Sequence, residues 1–167
     1  IPSGASLVIN AGSQIRLSEH SNIIIFGDLN IAGTKDNPVL FKSDSWNHPW
    51  GGIEFYNSNS EIKYCFFINA GSDPDKGWGH TNKQPIIFVK ENSNLTLNNS
   101  FILYSPGKAL GSHTSVVNVD STIISFVFHG GEFDYTYLTF NHSYILNIPN
   151  NDGIFADDDN DGFHINY

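Results

Sequence analysis

Asp157, Asp159 and Asp161 stand at alternate positions and are followed at once by Gly162. Carboxylates at that spacing, closed by a residue that turns sharply, can converge on a hard cation such as Ca2+, and Asp152 stands near enough to join them. The same text also reads as a solvated acidic turn between strand-like residues 153–155 and 162–165. His129-Gly130-Gly131-Glu132-Phe133-Asp134 gathers a histidine and two carboxylates around a bend. Paired carboxylates are what glycosidic hydrolysis uses, although Gly-Gly flanked by acids is equally an ordinary turn. Trp78 and His80 sit in Gly77-Trp78-Gly79-His80, inside loop-like text, where a flat ring and an imidazole could meet a ligand or a partner. Trp46 and Tyr56 also fall in or beside loops, whereas Trp50 reads as a cover for the core. Asn94, Asn98 and Asn141 each begin an Asn-x-Ser/Thr triplet, the acceptor pattern for N-glycosylation in a chain secreted by a eukaryote. With 20 Asn and 18 Ser in the chain, some such triplets arise by chance.

Other chemistries are poorly represented. The seven histidines are scattered without zinc-ligand spacing. Cys65 lies in the apolar run Tyr64-Cys65-Phe66-Phe67-Ile68 and reads as a small buried hydrophobe; as the sole cysteine it forms no internal disulfide. The net charge of −9 and the absence of a basic aromatic patch argue against nucleic acid as a partner. No apolar stretch is long enough for a membrane span. The eight Lys and Arg are dispersed, which speaks against a lyase that must neutralise an anionic sugar polymer.

The elements that must position these residues are announced by a repeat. An apolar–x–apolar triplet followed three residues later by an apolar residue or pair occurs at Ile62-Lys63-Tyr64, Leu95-Thr96-Leu97, Val117-Asn118-Val119 and Leu138-Thr139-Phe140. The copies begin 33, 22 and 21 residues apart, and Ser100, Thr122 and Ser143 precede the final apolar pair in the last three. Such a period marks stacked units that cannot bury their apolar faces alone. Period-two alternation within each copy means strand. Earlier segments 5–9, 14–17, 22–26, 28–31, 39–41 and 53–55 also read as short strands between Gly and Asn turns. Ile23-Ile24-Ile25-Phe26 and Ile86-Ile87-Phe88-Val89 are apolar at nearly every position, as parallel strands covered on both sides are. Leu95, Val117 and Leu138 are expected to form one interior column, and Leu97, Val119 and Phe140 the next. Loops are expected to project near 70–84 and 105–115, the first accounting for the long gap.

Gly27-x-Leu29-x-Ile31-x-Gly33-Thr34, then Asn37-Pro38-Val39-x-Phe41-x-Ser43, then Trp50-Gly51-Gly52-Ile53-x-Phe55 resemble early rungs of right-handed parallel β-helix domains of the pectate-lyase-like superfamily, found in large secreted and cell-surface proteins. Asn94-Leu95-Thr96-Leu97-Asn98-Asn99-Ser100-Phe101-Ile102 resembles a later rung. The resemblance implies an all-β solenoid of three sheets and six to seven turns with little or no helix, spanning residues 1–167 as a single domain. It carries over no catalytic residue, because the Lys/Arg and Asp sets of active members find no match here, and it does not decide function, because the fold hosts lyases, hydrolases, adhesins and purely structural fibres. The expectation is an extracellular or cell-surface structural or adhesive module, non-catalytic, part of a longer or processed chain, which self-associates or stacks on neighbouring β-helix segments. Two alternatives are a carbohydrate-active enzyme (polyuronate lyase or glycoside hydrolase) and a non-catalytic polysaccharide-binding module. Ca2+ at the acidic turn is the one cofactor considered.

Overall fold

In a computed structural model, the described residues are 1–149 and 153–156, together with the strand backbone of 162–166. The chain winds as a parallel β-solenoid of about six turns. Strands β1 (Ser6–Asn10), β2 (Gln14–Leu17) and β3 (Ile23–Ile25) make the first turn. β4 (Asp28–Ala32), β5 (Val39–Ser43) and β6 (Ile53–Tyr56) make the second, and β7 (Asn59–Lys63), β8 (Cys65–Ile68) and β9 (Pro85–Lys90) the third. In the fourth turn, β10 (Asn94–Asn98) leads into the long strand β11 (Phe101–His113), and in the fifth β12 (Val116–Asp120) leads into β13 (Ile123–Asp134). β14 (Tyr137–Asn141), β15 (Tyr144–Leu146) and β16 (Ile154–Ala156) make the sixth, and β17 (Gly162–Asn166) pairs beneath β14. Every strand pairing is parallel.

The coil has three faces but two hydrogen-bonded sheets. The first face is β1-β4-β7-β10-β12-β14-β17. The second (β2-β5-β8) and third (β3-β6-β9) are fused because β11 and β13 run round the corner between them, with a register shift between Ser105 and Lys108. The reading of 105–115 as a projecting loop is therefore corrected: residues 105–113 are strand. Ser105-Pro106-Gly107 has loop composition for a different reason. A Cβ on Gly107 would come within 2.3 Å of the Gln84 carbonyl and 2.4 Å of the Gly71 carbonyl, so glycine marks a close backbone approach here.

The expected columns are observed. Leu95 pairs with Val117 and Val117 with Leu138; Ile9, Ile31, Ile62, Leu97, Val119 and Phe140 form the neighbouring column. From Ile31 downward this second column is buried, each large side chain contributing roughly 1.5–3 kcal/mol. Trp50 is fully buried, stacked on Phe41 and donating its indole N–H to the Ile68 carbonyl at 3.1 Å.

Two devices turn the corners. Tyr64, Asn99, Ser121 and His142 lie one above the other with φ between +45° and +51°. Asn57, the pair Glu91-Asn92, Thr114 and Tyr135 repeat this left-handed conformation at a second corner, and Asn69, Tyr104, Phe126 and Asn147 at the third. Beside the first of these columns runs a hydroxyl ladder. Ser100 Oγ accepts from the Cys65 N–H at 3.1 Å, Thr122 Oγ1 from the Ser100 N–H at 3.4 Å, and Ser143 Oγ from the Thr122 N–H at 2.9 Å. Each hydroxyl also donates to the carbonyl two residues before it, so the buried corner backbone is satisfied between rungs as well as within them.

Candidate functional site

The third face carries the chemistry. Its outward positions stack as Ile24, Glu54, Phe88, Gly111, Glu132 and Phe155, one per turn. Alternation along the strands turns them away from the core, and the segment 70–84 then folds back over them. That segment holds a single 3-10 turn at Pro74–Lys76 and an antiparallel bridge between Trp78 and Lys83. Buried polar side chains pin it down. Gln84 Nε2 donates to Asn22 Oδ1 at 2.6 Å, Gln84 Oε1 accepts from the Asp73 N–H at 2.7 Å, and Ser105 Oγ donates to the Ala70 carbonyl at 2.6 Å.

Beneath this cover two charged clusters form. In the first, Lys108 is fully buried and pairs through Nζ with Glu132 Oε2, while also donating to the Trp78 carbonyl. The other carboxylate oxygen of Glu132 accepts the His80 backbone N–H at 2.8 Å and lies 3.0 Å from His80 Nδ1. Trp78 packs on Phe88 with ring centroids 4.6 Å apart, and Lys108 Nζ lies 5.1 Å from the Trp78 ring. His80 packs on Phe155 at 4.3 Å and on the buried His129 at 5.2 Å. Burial disfavours the ammonium form of Lys108 and holds it below the ordinary lysine range, the pairing with Glu132 restoring only part of the loss. Burial alone would raise Glu132; Lys108 and the two donors of His80 outweigh it and hold the carboxyl below its ordinary value.

In the second cluster, Glu54 accepts from Tyr56 Oη at 2.5 Å and Lys90 Nζ at 3.0 Å, and Lys76 Nζ lies 2.9 Å from its other oxygen. Here too burial pushes the carboxyl up, while Tyr56, Lys76 and Lys90 bring it below its usual range. Tyr56 is pushed up to about 12 by its burial and by the neighbouring Glu54. Lys90 also lies over the Phe88 ring at 3.9 Å.

The structure thus brings together two motifs that the sequence offered separately, Trp78 with His80 and His129 with Glu132, and adds Lys108. Trp78 is half-buried, with its ring engaged by Phe88 and Lys108, and His80 reaches solvent at its edge. Glu132 has both oxygens committed within the cluster. Glu54 and Glu132 stand three rungs apart, roughly 14 Å at the strand spacing. That exceeds the about 5–9.5 Å separating the carboxyl pair of glycosidases. Lys108 and Glu54 were missed from sequence. Lys108 sits in Ser-Pro-Gly-Lys text, and only aligning the repeats at their 21-residue step places it beside His129, its register partner.

Asp152, Asp157, Asp159 and Asp161 lie outside the described residues. Among the described residues, no group of three or more His, Cys, Asp or Glu side chains is disposed to hold a metal. Asn94 is exposed on the first face, where Asn98 and Asn141 flank Asp120 in one outward column. Cys65 is buried, and its thiol is raised well above the ordinary range by that burial. No helix among the described residues is long and apolar enough to cross a membrane.

Apolar side chains also line the outside of the second face. Leu40, Phe66, Phe101, Ile123 and Tyr144 share one outward column, with Phe66 and Phe101 stacked at 4.6 Å. At the adjoining corner Tyr104 stacks on Phe126 at 5.1 Å, and the exposed Trp46 meets Tyr104 edge-on at 5.3 Å. No protein-family model matches this chain, and no curated protein and no solved structure shows significant similarity to it.

Proposed function

We propose that this chain is a structural or adhesive module of an extracellular β-helix assembly, related to the pectate-lyase-like superfamily, whose first turn stacks end-on against a further β-helix turn. One observation carries the reading: the apolar interior is open at the β1–β3 end. Leu7 is 44% exposed, although Leu29, one rung inward on the same column, is 2% exposed. Ile9, Ile15, Leu17 and Ile23 around the same end are only partly buried. The outer edges of β1 and β2 have no strand partner among the described residues, whereas Ile1 meets that of β3, donating to the Ile24 carbonyl and accepting the Phe26 N–H. A free parallel edge over an open core is a template for another strand layer. The Asn- and Ser-rich surface, the three glycosylation triplets and the outward apolar column on the second face support an extracellular setting and contact with larger partners.

The experiment is light scattering coupled to size exclusion over a concentration series, comparing the wild-type chain with Leu7→Lys. A charge placed on an open edge discourages strand addition. The wild-type chain is expected to form concentration-dependent oligomers that Leu7→Lys shifts toward monomer. A wild-type chain that stays monomeric at every concentration contradicts the proposal.

A further inference from the structure

We propose that Lys108 and Glu132 become joined covalently, by an amide between Lys108 Nζ and Glu132 Cδ. This does not depend on end-on stacking.

The geometry divides the Glu132 carboxylate into two unlike oxygens. Oε2 faces Lys108 Nζ. Oε1 is held by the His80 backbone N–H at 2.8 Å and lies 3.0 Å from His80 Nδ1. Attack by Nζ on Cδ would move negative charge onto Oε1, where those two donors already converge. Preorganised donors at the oxygen that gains charge are the main device by which acyl transfer is accelerated. The approach is built into the backbone. Gly79 has φ +65°, and a Cβ there would fall 2.0 Å from Glu132 Oε1, so only glycine brings the His80 N–H onto the carboxylate.

Burial supplies the driving force. The side chains of Lys108 and Glu132 are 0% and 3% exposed, sealed by Trp78 and Phe88. Two charges held out of water carry a desolvation cost that a neutral amide does not. The proton of the ammonium passes to Oε2 along the hydrogen bond that links them, leaving an amine and a carboxylic acid. The Nζ lone pair then forms the Nζ–Cδ bond and the Cδ–Oε2 bond breaks. Oε2 leaves as water, carrying the acid proton and one proton from Nζ. Nothing is oxidised or reduced, and no co-reactant is needed. The neighbouring Glu54 cluster makes the contrast. Its lysines, Lys76 and Lys90, are 40% and 23% exposed, and its carboxylate is held by side chains alone. It has hydrated amines and no backbone donor on the carboxylate, and remains an ion pair.

The test is the intact mass of the purified chain, followed by peptide mapping. The wild-type chain is expected to be lighter than its sequence by one water, with a branched peptide joining the Lys108 and Glu132 segments. Lys108→Arg keeps the positive charge without the amine and is expected at full sequence mass. His80→Ala keeps the backbone N–H and removes the imidazole. After refolding it is expected to link about a hundredfold more slowly, the effect of losing one donor to a developing oxyanion. A wild-type chain at full sequence mass overturns the proposal, whether or not Lys108→Arg folds. So does a lost water that maps elsewhere, for example to Asp152-Gly153 or Asp161-Gly162. Equal linking rates for wild type and His80→Ala overturn the role given to the imidazole.

Discussion

Thr122 shows how single side chains hold this coil together. Its hydroxyl accepts the Ser100 N–H from the rung before and donates to the Asp120 carbonyl in its own rung, and the residue is fully buried. Thr122→Val keeps the shape and removes both bonds, leaving the Ser100 amide unsatisfied in the interior, while the Asp120 carbonyl keeps the Asn99 N–H as its partner. The expected loss is about 1–3 kcal/mol, measured by denaturant unfolding. The mutant ought to refold to the same secondary structure, because its apolar columns are untouched. Glu54 gives a pH dependence at the same scale. Its folded-state pKa lies below the unfolded value of ~4.3, so between the two the unfolded chain binds more protons. The stability it contributes is complete above that unfolded value and is lost as pH falls through the folded one. Glu54→Gln is expected to flatten the fall in melting temperature below about pH 4 relative to wild type. An unchanged acid limb would show that other carboxylates carry it.

At the scale of elements, the first face is the most legible part of the sequence. Its last three triplets alternate cleanly, since one side of each strand faces the core and the other faces water. The reading of Ile62-Lys63-Tyr64 as an equivalent triplet is corrected, because Ile62 pairs with Leu97 and Tyr64 lies at the corner beyond β7. That alternation, with the repeat period, is enough by itself to place Leu95, Val117 and Leu138 over one another. Strands β11 and β13 are not legible as continuous. They pass from the second face to the third without a break, and Pro106 and Gly107 occur where the register shifts and Gly71 and Gln84 press close. Pro and Gly there answer a packing demand, which sequence cannot separate from a turn. The corners are half legible. Asn57, Asn69, Asn92, Asn99 and Asn147 fit left-handed positions as expected of Asn, but Tyr104 and Phe126 adopt the same conformation only because the column forces it. The site is legible in fragments. Loop composition presents Trp78 and His80 as surface contacts, whereas segment 70–84 lies back on the third face and sets them against Phe88 and Glu132. That fold-back depends on Asn22, Gln84 and Ser105, three polar residues distant in sequence whose partners no local pattern announces.

For the whole molecule, the stacking of equivalent positions is what makes every other feature work. It aligns the apolar columns and passes hydroxyls from rung to rung. It also sets Lys108 and Glu132 in adjacent turns and leaves the first turn as an open layer. The most direct measurement is disulfide formation between cysteines introduced on the outside of the first face, in a Cys65→Ser background. Asn98, Asp120 and Asn141 occupy one outward column in successive turns. Neighbouring strands lie about 4.8 Å apart, inside the Cα separation of about 4.4–6.8 Å that a disulfide spans, and alternate strands lie roughly twice as far. Asn98→Cys with Asp120→Cys, and Asp120→Cys with Asn141→Cys, are expected to cross-link under mild oxidation, while Asn98→Cys with Asn141→Cys stays reduced. Cross-linking of the outer pair in preference to either adjacent pair would contradict the stacked coil.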